Sequence, residues 1–267
     1  DLVAAKKFPV IILIAGVDGA GKSAVVSTLN EWMDPRHIQT HGFDDPTDEE
    51  RQRPFMWRYW RALPPKGRIG IFAGSWYSSP IHDRIDGNLT KAAVDARIDQ
   101  INRFEAMLVN EGALVLKFWF HLTKEGQKRR LKALEKDPHT AWRVTKWNWD
   151  RLKTYDKLQD VVGHVLRLTN TPWAPWIVIE GADDNYRSLT TGQVLLDALK
   201  QRLAEGSKQA TPVAPLVQLN IDGRDVLSEL DMSHKLAKKT FENQLAKWQG
   251  KLSELVRDPR FQKRSLV

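Results

Sequence analysis

The chain has 267 residues, with 41 Lys and Arg against 33 Asp and Glu and no cysteine. That length allows one sizeable domain with an appendage or two small domains. The lack of cysteine excludes disulfides, a thiolate nucleophile and a Cys-based zinc site, and the net charge of +8 points to a polyanionic partner: nucleic acid, a phosphate polymer or several nucleotides.

Phe8 to Ala15 is a continuous β-rich apolar run, expected as a strand buried on both faces of a parallel sheet. Ser23 to Met33 reads as a helix with Ala24, Val25, Leu29 and Trp32 as its inner stripe, ended by Asp34-Pro35. Short strands are expected at Ile38–Phe43 and Arg68–Ala73. Val94, Ile98, Ile101, Phe104 and Leu108 recur at helical spacing within 92–110, and Glu111-Gly112 closes that helix. Ala113–Leu122 and Trp176–Glu180 are the last two strands. Strands alternating with helices predict an α/β fold, a parallel sheet with helices on both faces.

Two regions break the alternation. Lys124 to Tyr155 is helical, polar and basic, with Trp142, Trp147 and Trp149 interleaved. Glu205 to Val213 reads as a linker, and Leu227 to Leu255 as one or two charged helices. Phe261 to Val267 begins an apolar run after basic residues, as Ala4 to Ile11 does. We expect the chain to stop within the first strand of a second, related domain, with a frayed terminus as the alternative. No apolar run approaches the roughly 18 residues of a membrane span, and no secretory signal is visible, so the expected location is the cytoplasm, with no membrane partner. Asp1 rather than Met begins the chain, which leaves an earlier start open.

Gly16-Val17-Asp18-Gly19-Ala20-Gly21-Lys22-Ser23 follows the first strand and opens the first helix. It fits the phosphate-binding loop pattern, in which glycines turn backbone N–H groups toward phosphate oxygens and the helix N-terminus adds a positive dipole. Lys22 is placed to reach the transferring phosphate and Ser23 to ligate Mg²⁺. Asp18 repels a phosphate unless a cation stands between them, so it reads as a second Mg²⁺ ligand; a loop carboxylate held by backbone amides is the alternative. His41, His121 and His139 lack metal-ligand spacing. Trp57 and Trp60 flank Arg58 and either stack on a base or pack a helix on the sheet.

With these motifs the chain resembles the polyphosphate kinase 2 family, P-loop kinases related in fold to thymidylate kinase. Besides the loop, the resemblance rests on Pro46-Thr47-Asp48-Glu49-Glu50, Trp57-Arg58-Tyr59-Trp60, Leu63-Pro64, Ser75-Trp76-Tyr77, Lys117 to Leu122 followed by Gln127-Lys128-Arg129-Arg130, and Ala174-Pro175-Trp176. It implies phosphoryl transfer between inorganic polyphosphate and a nucleotide with Mg²⁺ as cofactor. Lys22 and Asp18 would then be catalytic, and the loop residues 16–23 and Arg58 would bind phosphate and nucleotide. Lys128, Arg129 and Arg130 would belong to a basic lid at about 123–155 that follows the polymer; a solvated helix face is the alternative reading of Arg129 and Arg130. Residues 1–204 would form the kinase-like domain, 205–220 a linker and 221–267 a helical segment leading into the second domain. Nucleic acid is then not the expected partner, and a homo-oligomer is.

The departures are as specific as the matches. Active members carry Asp-Arg before Ser-Trp-Tyr, where this chain has Ala73-Gly74; an arginine is missing at Leu134, and Ser78-Ser79 replaces a typical Gly-Arg. If one such electrostatic contact is worth about 3 kcal/mol, their loss raises the barrier by several kcal/mol. The combination resembles the degenerate N-terminal half of two-domain polyphosphate:AMP phosphotransferases, which make ADP from AMP. The stretch from Leu227 to Phe261 resembles the segment that precedes the second phosphate loop in those members. An ATP-dependent nucleoside monophosphate kinase and a non-catalytic polyphosphate-binding or assembly module stay open as alternatives. Ala73→Asp with Gly74→Arg is the substitution pair that tests whether the first site can be repaired.

Overall fold

The structure, a computed structural model, describes residues 7–204 and Lys239. The expected linker at 205–220 and helical segment at 221–267 therefore lie outside the described residues, Lys239 apart. The described chain falls into two units, 7–47 with 55–204, and 48–54.

In the larger unit five strands form one parallel sheet: β1 (Val10–Gly16), β2 (Ile38–Gly42), β3 (Ile69–Ala73), β4 (Leu114–His121) and β5 (Trp176–Glu180). Their spatial order is β2-β3-β1-β4-β5. β1 lies in the middle, and Val10 to Ile14 are wholly buried, as expected of a strand covered on both faces. Its neighbours β3 and β4 follow it in sequence on opposite sides, so the order of strands reverses at β1. In open parallel sheets ligands bind beyond the carboxyl ends of the strands at such a switch point.

Helices cover both faces. On one side α1 (Lys22–Trp32) packs on β1 and β3 and touches α9 (Asp184–Ala204), which lies on β4 and β5. On the other side α4 (Ser78–Asp86), α5 (Lys91–Asn110) and α8 (Tyr155–Thr169) pack together, with α5 against β4. Thr90 caps α5, its hydroxyl accepting from the Ala93 amide at 3.2 Å, and all five apolar residues of the expected stripe are buried. A short α3 (Trp57–Trp60) precedes β3. In the smaller unit Asp48–Arg51 forms the single turn α2, with the Arg51 guanidinium 2.7 Å from the Asp48 carboxylate.

Some boundaries differ from the sequence reading. β1 begins at Val10 because Pro9 has no N–H to give the ladder; its carbonyl accepts from the Leu114 amide instead. The inner stripe of α1 narrows to Val25 and Leu29, while Ala24 and Trp32 are exposed. Trp32 nevertheless has a partner: its ring lies on Gly192 of α9, where a β-carbon would come within 2.6 Å of Cζ3. The basic segment divides into α6 (Lys124–Lys136), one 3-10 turn at Ala141–Arg143 and α7 (Lys146–Lys153). Trp142 and Trp147 stand exposed there, each under a guanidinium, Arg143 at 5.3 Å and Arg151 at 5.1 Å from the ring centroid. Among the described residues no helix is long and apolar enough to cross a membrane.

Candidate phosphate site

The loop after β1 turns sharply into α1. The Val17 amide is tied to the Phe120 carbonyl of β4 at 3.0 Å and the Ala20 amide to the Val17 carbonyl at 3.3 Å, so neither is offered to a ligand. The amides of Gly19, Gly21, Lys22 and Ser23 have no acceptor among the described residues, and α1 carries no side-chain cap. A helix N-terminus with unsatisfied N–H groups attracts anions. Gly21 adopts a left-handed φ of 81° as the N-cap.

Lys22 folds over this loop. Its ammonium donates to the carbonyls of Gly16 at 2.7 Å and Val17 at 3.0 Å, and the Asp18 carboxylate lies 3.8 Å away. Enclosure lowers the pKa of the ammonium, against the opposing pull of Asp18. A third of the side chain, 32%, still reaches solvent. For Mg²⁺ the loop supplies Asp18 and the exposed Ser23 hydroxyl. No set of three His, Asp or Glu side chains converges among the described residues. That donor set suits an ion that takes most of its ligands from water and phosphate oxygens, as Mg²⁺ does, and does not suit an all-protein cage.

The basic segment meets the loop at Arg130. A β-carbon on Gly19 would lie 3.3 Å from Cγ of Arg130, whose guanidinium points toward Asp184 at 4.0 Å. Lys128 and Arg129 are exposed on the same helix, and no hydrogen bond or ion pair among the described residues holds either side chain. α7 is anchored at the far side, where Arg151 makes a bidentate pair with Asp86 of α4 at 2.7 and 2.8 Å. His82 on α4 feels both sides of the crevice. Desolvation lowers its pKa first, then the positive charges of Arg151 and Lys22, against Asp18 and Asp86.

At the carboxyl end of β3 stand Ala73 and Gly74. Gly74 has φ 77°, and a β-carbon there would come 2.7 Å from the Phe43 carbonyl oxygen. Phe43 in turn donates its amide to the Ala73 carbonyl at 3.0 Å, so this corner is closed by backbone. Arg58 lies beside it, its guanidinium 5.1 Å from the Phe43 ring centroid and 5.7 Å from that of Tyr59. Of the neighbouring α3 residues, Tyr59 is buried and Trp60 exposed against Phe104, with ring centroids 6.0 Å apart. Trp57 sits under the Arg61 guanidinium at 4.7 Å.

The family described as Polyphosphate kinase 2 (PPK2) matches residues 1–207. The chain belongs to the polyphosphate kinase 2 family. It is 49% identical over 263 residues to the polyphosphate:AMP phosphotransferase of Pseudomonas aeruginosa strain PAO1, covering 98% of this chain and 53% of that one. To the polyphosphate:AMP phosphotransferase of Pseudomonas syringae pv. tomato it is 45% identical, over 100% of this chain and 54% of the relative. A crystal structure from Pseudomonas aeruginosa PA01 superposes with a TM-score of 0.77 at 44% identity, covering 97% of this chain and 50% of that one. The chain thus spans about half the length of the curated relatives it matches. The fold is accordingly that of a P-loop kinase.

Within this polyphosphate kinase 2 chain, Ser75-Trp76-Tyr77 is a buried anchor. Glu105 of α5 accepts from Trp76 Nε1 at 3.0 Å and Tyr77 Oη at 2.6 Å through one oxygen, and from Lys117 Nζ of β4 at 2.8 Å through the other. Lys117 also donates to the Thr169 carbonyl at 2.6 Å. Glu105 and Lys117 are both fully buried. Burial lowers the Lys117 pKa, opposed by Glu105, and burial beside Glu105 pushes the Tyr77 phenol well up. This network ties the segment after β3 to the sheet.

Sequence reasoning missed Glu105 and Arg187. The signal in both is a charged residue at an apolar address. Glu105 follows Ile101 by four on the inner face of α5, and Arg187 shares its α9 face with Thr191 and Leu195 at four-residue steps. Lys117 stands likewise in the middle of a buried strand.

Proposed function

We propose that this chain is the phosphate-binding part of a polyphosphate:AMP phosphotransferase and that its own site is impaired in turnover. The observation that carries the reading is the contrast between the two ends of the crevice. The loop offers the amides of Gly19, Gly21, Lys22 and Ser23 with the Lys22 ammonium, whereas the end of β3 presents Ala73-Gly74 backed by the Phe43 carbonyl. Two relatives at 49% and 45% identity are named for that transfer, which gives the donor, inorganic polyphosphate, and the acceptor, AMP, with ADP as product.

In this reading the loop amides grip the terminal phosphoryl groups, and Lys22 moves from its own loop carbonyls onto phosphate oxygens. Arg130, already over Gly19, extends the positive surface along the polymer. Asp18 and Ser23 hold Mg²⁺, which supplies charge neutralisation on the phosphates. In-line transfer depends on positioning and on stabilising charge at the transferring group. No carboxylate or arginine at 73–74 serves the reacting phosphoryl. One missing electrostatic contact is worth about 3 kcal/mol, or roughly a hundredfold in rate.

The test is to compare polyphosphate binding with turnover in the 267-residue chain and in a longer protein that contains it. We expect micromolar or tighter polyphosphate binding that weakens steeply with salt, and slow or absent ADP formation by the chain alone. Robust AMP phosphorylation by residues 1–267 overturns the impairment. Absence of polyphosphate binding overturns the phosphate-site reading, and phosphorylation of AMP from ATP but not from polyphosphate favours an ordinary nucleotide kinase.

A further inference from the structure

Arg187 is the one arginine of the described chain that is almost completely buried, at 1% exposure. It rises from the first turn of α9 and lies against the back of the phosphate loop. A β-carbon on Gly21 would fall 2.1 Å from its Cζ and within 2.5 Å of both terminal nitrogens, so the guanidinium occupies the volume that any side chain at 21 would need. The turn that leads into α9 presses on the same loop: a β-carbon on Gly181 would lie 2.9 Å from the Ala20 carbonyl oxygen.

The hydrogen bonding of Arg187 is incomplete. Nη1 donates to the Gly181 carbonyl at 2.8 Å and pairs with the Asp184 carboxylate at 3.0 Å, while Nε and Nη2 are buried without a partner among the described residues. A buried guanidinium normally has its donors satisfied, because each one left unmade keeps its full desolvation penalty. Its position makes the cost larger. The N-terminus of α1 begins at Gly21, carries unsatisfied N–H groups and is itself positive. The Lys22 ammonium adds a second cation next in sequence, and Arg130, whose stem packs against Gly19 while its guanidinium lies 4.0 Å from Asp184, a third nearby. Facing these are the carboxylates of Asp184 and Asp18, at 3.0 Å from Arg187 and 3.8 Å from Lys22. A cluster of positive groups on one loop, with donors left over, lowers its energy when an anion settles on the loop.

We propose that Arg187 is a positioning residue for the phosphate loop: packed behind Gly21, it holds the loop in its anion-binding shape and supplies a buried positive charge that sets the affinity for phosphate polymers. The inference rests on the reading of that loop as a phosphate site. Asp184 completes the device, since its two oxygens face Arg187 and, at 4.0 Å, Arg130 of α6, joining the buried charge to the basic segment outside.

The experiment uses the full 267-residue chain with inorganic tripolyphosphate and long-chain polyphosphate as probes. Calorimetric affinities are compared for wild type, Arg187→Met and Arg187→Lys, alongside the unfolding temperature of each without probe. A charge at several ångströms acting through an effective dielectric of about 20 changes affinity by on the order of tenfold or more. We expect Arg187→Met to lose about tenfold and Arg187→Lys to recover most of that loss, whatever either does to the unfolding temperature. A packing role alone would shift the unfolding temperature in both variants and leave affinity within about twofold.

A second measurement needs no variant to fold. The Arg187 Nε–H proton resonance of wild type is expected to shift on saturation with tripolyphosphate. If wild type binds neither probe, the phosphate-site reading falls. If wild type binds and the resonance stays in place, or Arg187→Met binds within about twofold of wild type, the role of Arg187 falls while that reading stands.

Discussion

Replacing Glu105 with glutamine removes one formal charge from a fully enclosed network and leaves the volume almost unchanged. The side-chain carbonyl of the variant can still accept from Trp76 Nε1 and Tyr77 Oη, which lie 3.0 and 2.6 Å from the carboxylate oxygen it replaces. The other carboxylate oxygen, 2.8 Å from the Lys117 ammonium, becomes an NH₂ group that faces this cation. Lys117 keeps the Thr169 carbonyl at 2.6 Å but becomes an uncompensated buried charge. Breaking such a pair from one side costs about 3–5 kcal/mol, against a total stability of about 5–15 kcal/mol. With a urea slope of about 2–3 kcal/mol/M the midpoint falls by roughly 1–2 M. The pH dependence carries a sign. Lys117 sits below its ordinary value of 10.5 through burial, and without Glu105 that burial acts alone. The unfolded chain then binds more protons than the folded one below that pH, so the variant gains stability as pH rises toward 10.5. The decisive assay is a double-mutant cycle with Lys117→Met, in which the double variant should be less destabilised than the sum of the singles by about 2 kcal/mol or more. Additive singles, or a Glu105→Gln cost under about 1 kcal/mol, would refute the view that this pair anchors Trp76 and Tyr77.

The remaining predictions concern the crevice and its borders. Gly74→Ala puts a β-carbon 2.7 Å from the Phe43 carbonyl at φ 77°, and we expect a loss of about 2 kcal/mol or more in equilibrium unfolding; a neutral result would mean that the corner relaxes. Gly74→Arg meets the same obstacle, so Ala73→Asp alone, on the rim of the crevice, is the half of the repair pair expected to fold normally. Arg151→Ala removes the bidentate contact with Asp86; global stability should change by about 1 kcal/mol or less, while limited proteolysis around 137–146 should accelerate. Asp34, held at about 2 by side-chain and backbone hydrogen bonds from Arg36, should rise part of the way toward 3.8 in Arg36→Ala, which keeps the residue-36 amide, when followed by carboxyl NMR titration. Its folded-state pKa is depressed, so the small stabilisation from this exposed pair is present above 3.8 and lost as pH falls through about 2.

Five strands and the long α5 were legible because their pattern is local. Val10 to Ile14 is apolar throughout, as a central parallel strand must be, and the 94, 98, 101, 104, 108 series repeats the helical period. The strand–loop–helix placement of the glycine-rich segment was legible for the same reason, since glycine positions, a lysine and a flanking strand and helix all follow one another without interruption. What escaped depends on pairings across the chain. Trp76 meets Glu105 and Lys117 meets Thr169 over separations that no periodicity records. Arg187 reaches Gly21 only because β5 carries α9 back beside β1's loop. The inner placement of Trp32 was wrong for a related reason: helical spacing says which residues share a face, not where the neighbouring helix ends, and here Gly192 of α9 receives the ring at the edge of the layer.

The motif around β3 separates two kinds of information that sit side by side in the sequence. Trp76 and Tyr77 are buried and bonded to Glu105, so replacing them costs folding free energy whether or not the protein turns over. Ala73 ends β3 with the sheet register intact through Ile14 and Gly42, whereas Gly74 is held by the turn itself, its α-carbon facing the Phe43 carbonyl at φ 77°. A stretch such as Gly74-Ser75-Trp76-Tyr77 therefore reports the fold, and on the proposed reading position 73 is the one before it that reports the chemistry. The glycine-rich loop carries fold information as well, because Gly21 leaves the volume that the Arg187 guanidinium fills. The glycine-rich loop and the Ser-Trp-Tyr anchor are therefore both required by the fold, and on the proposed reading binding and turnover have to be measured separately.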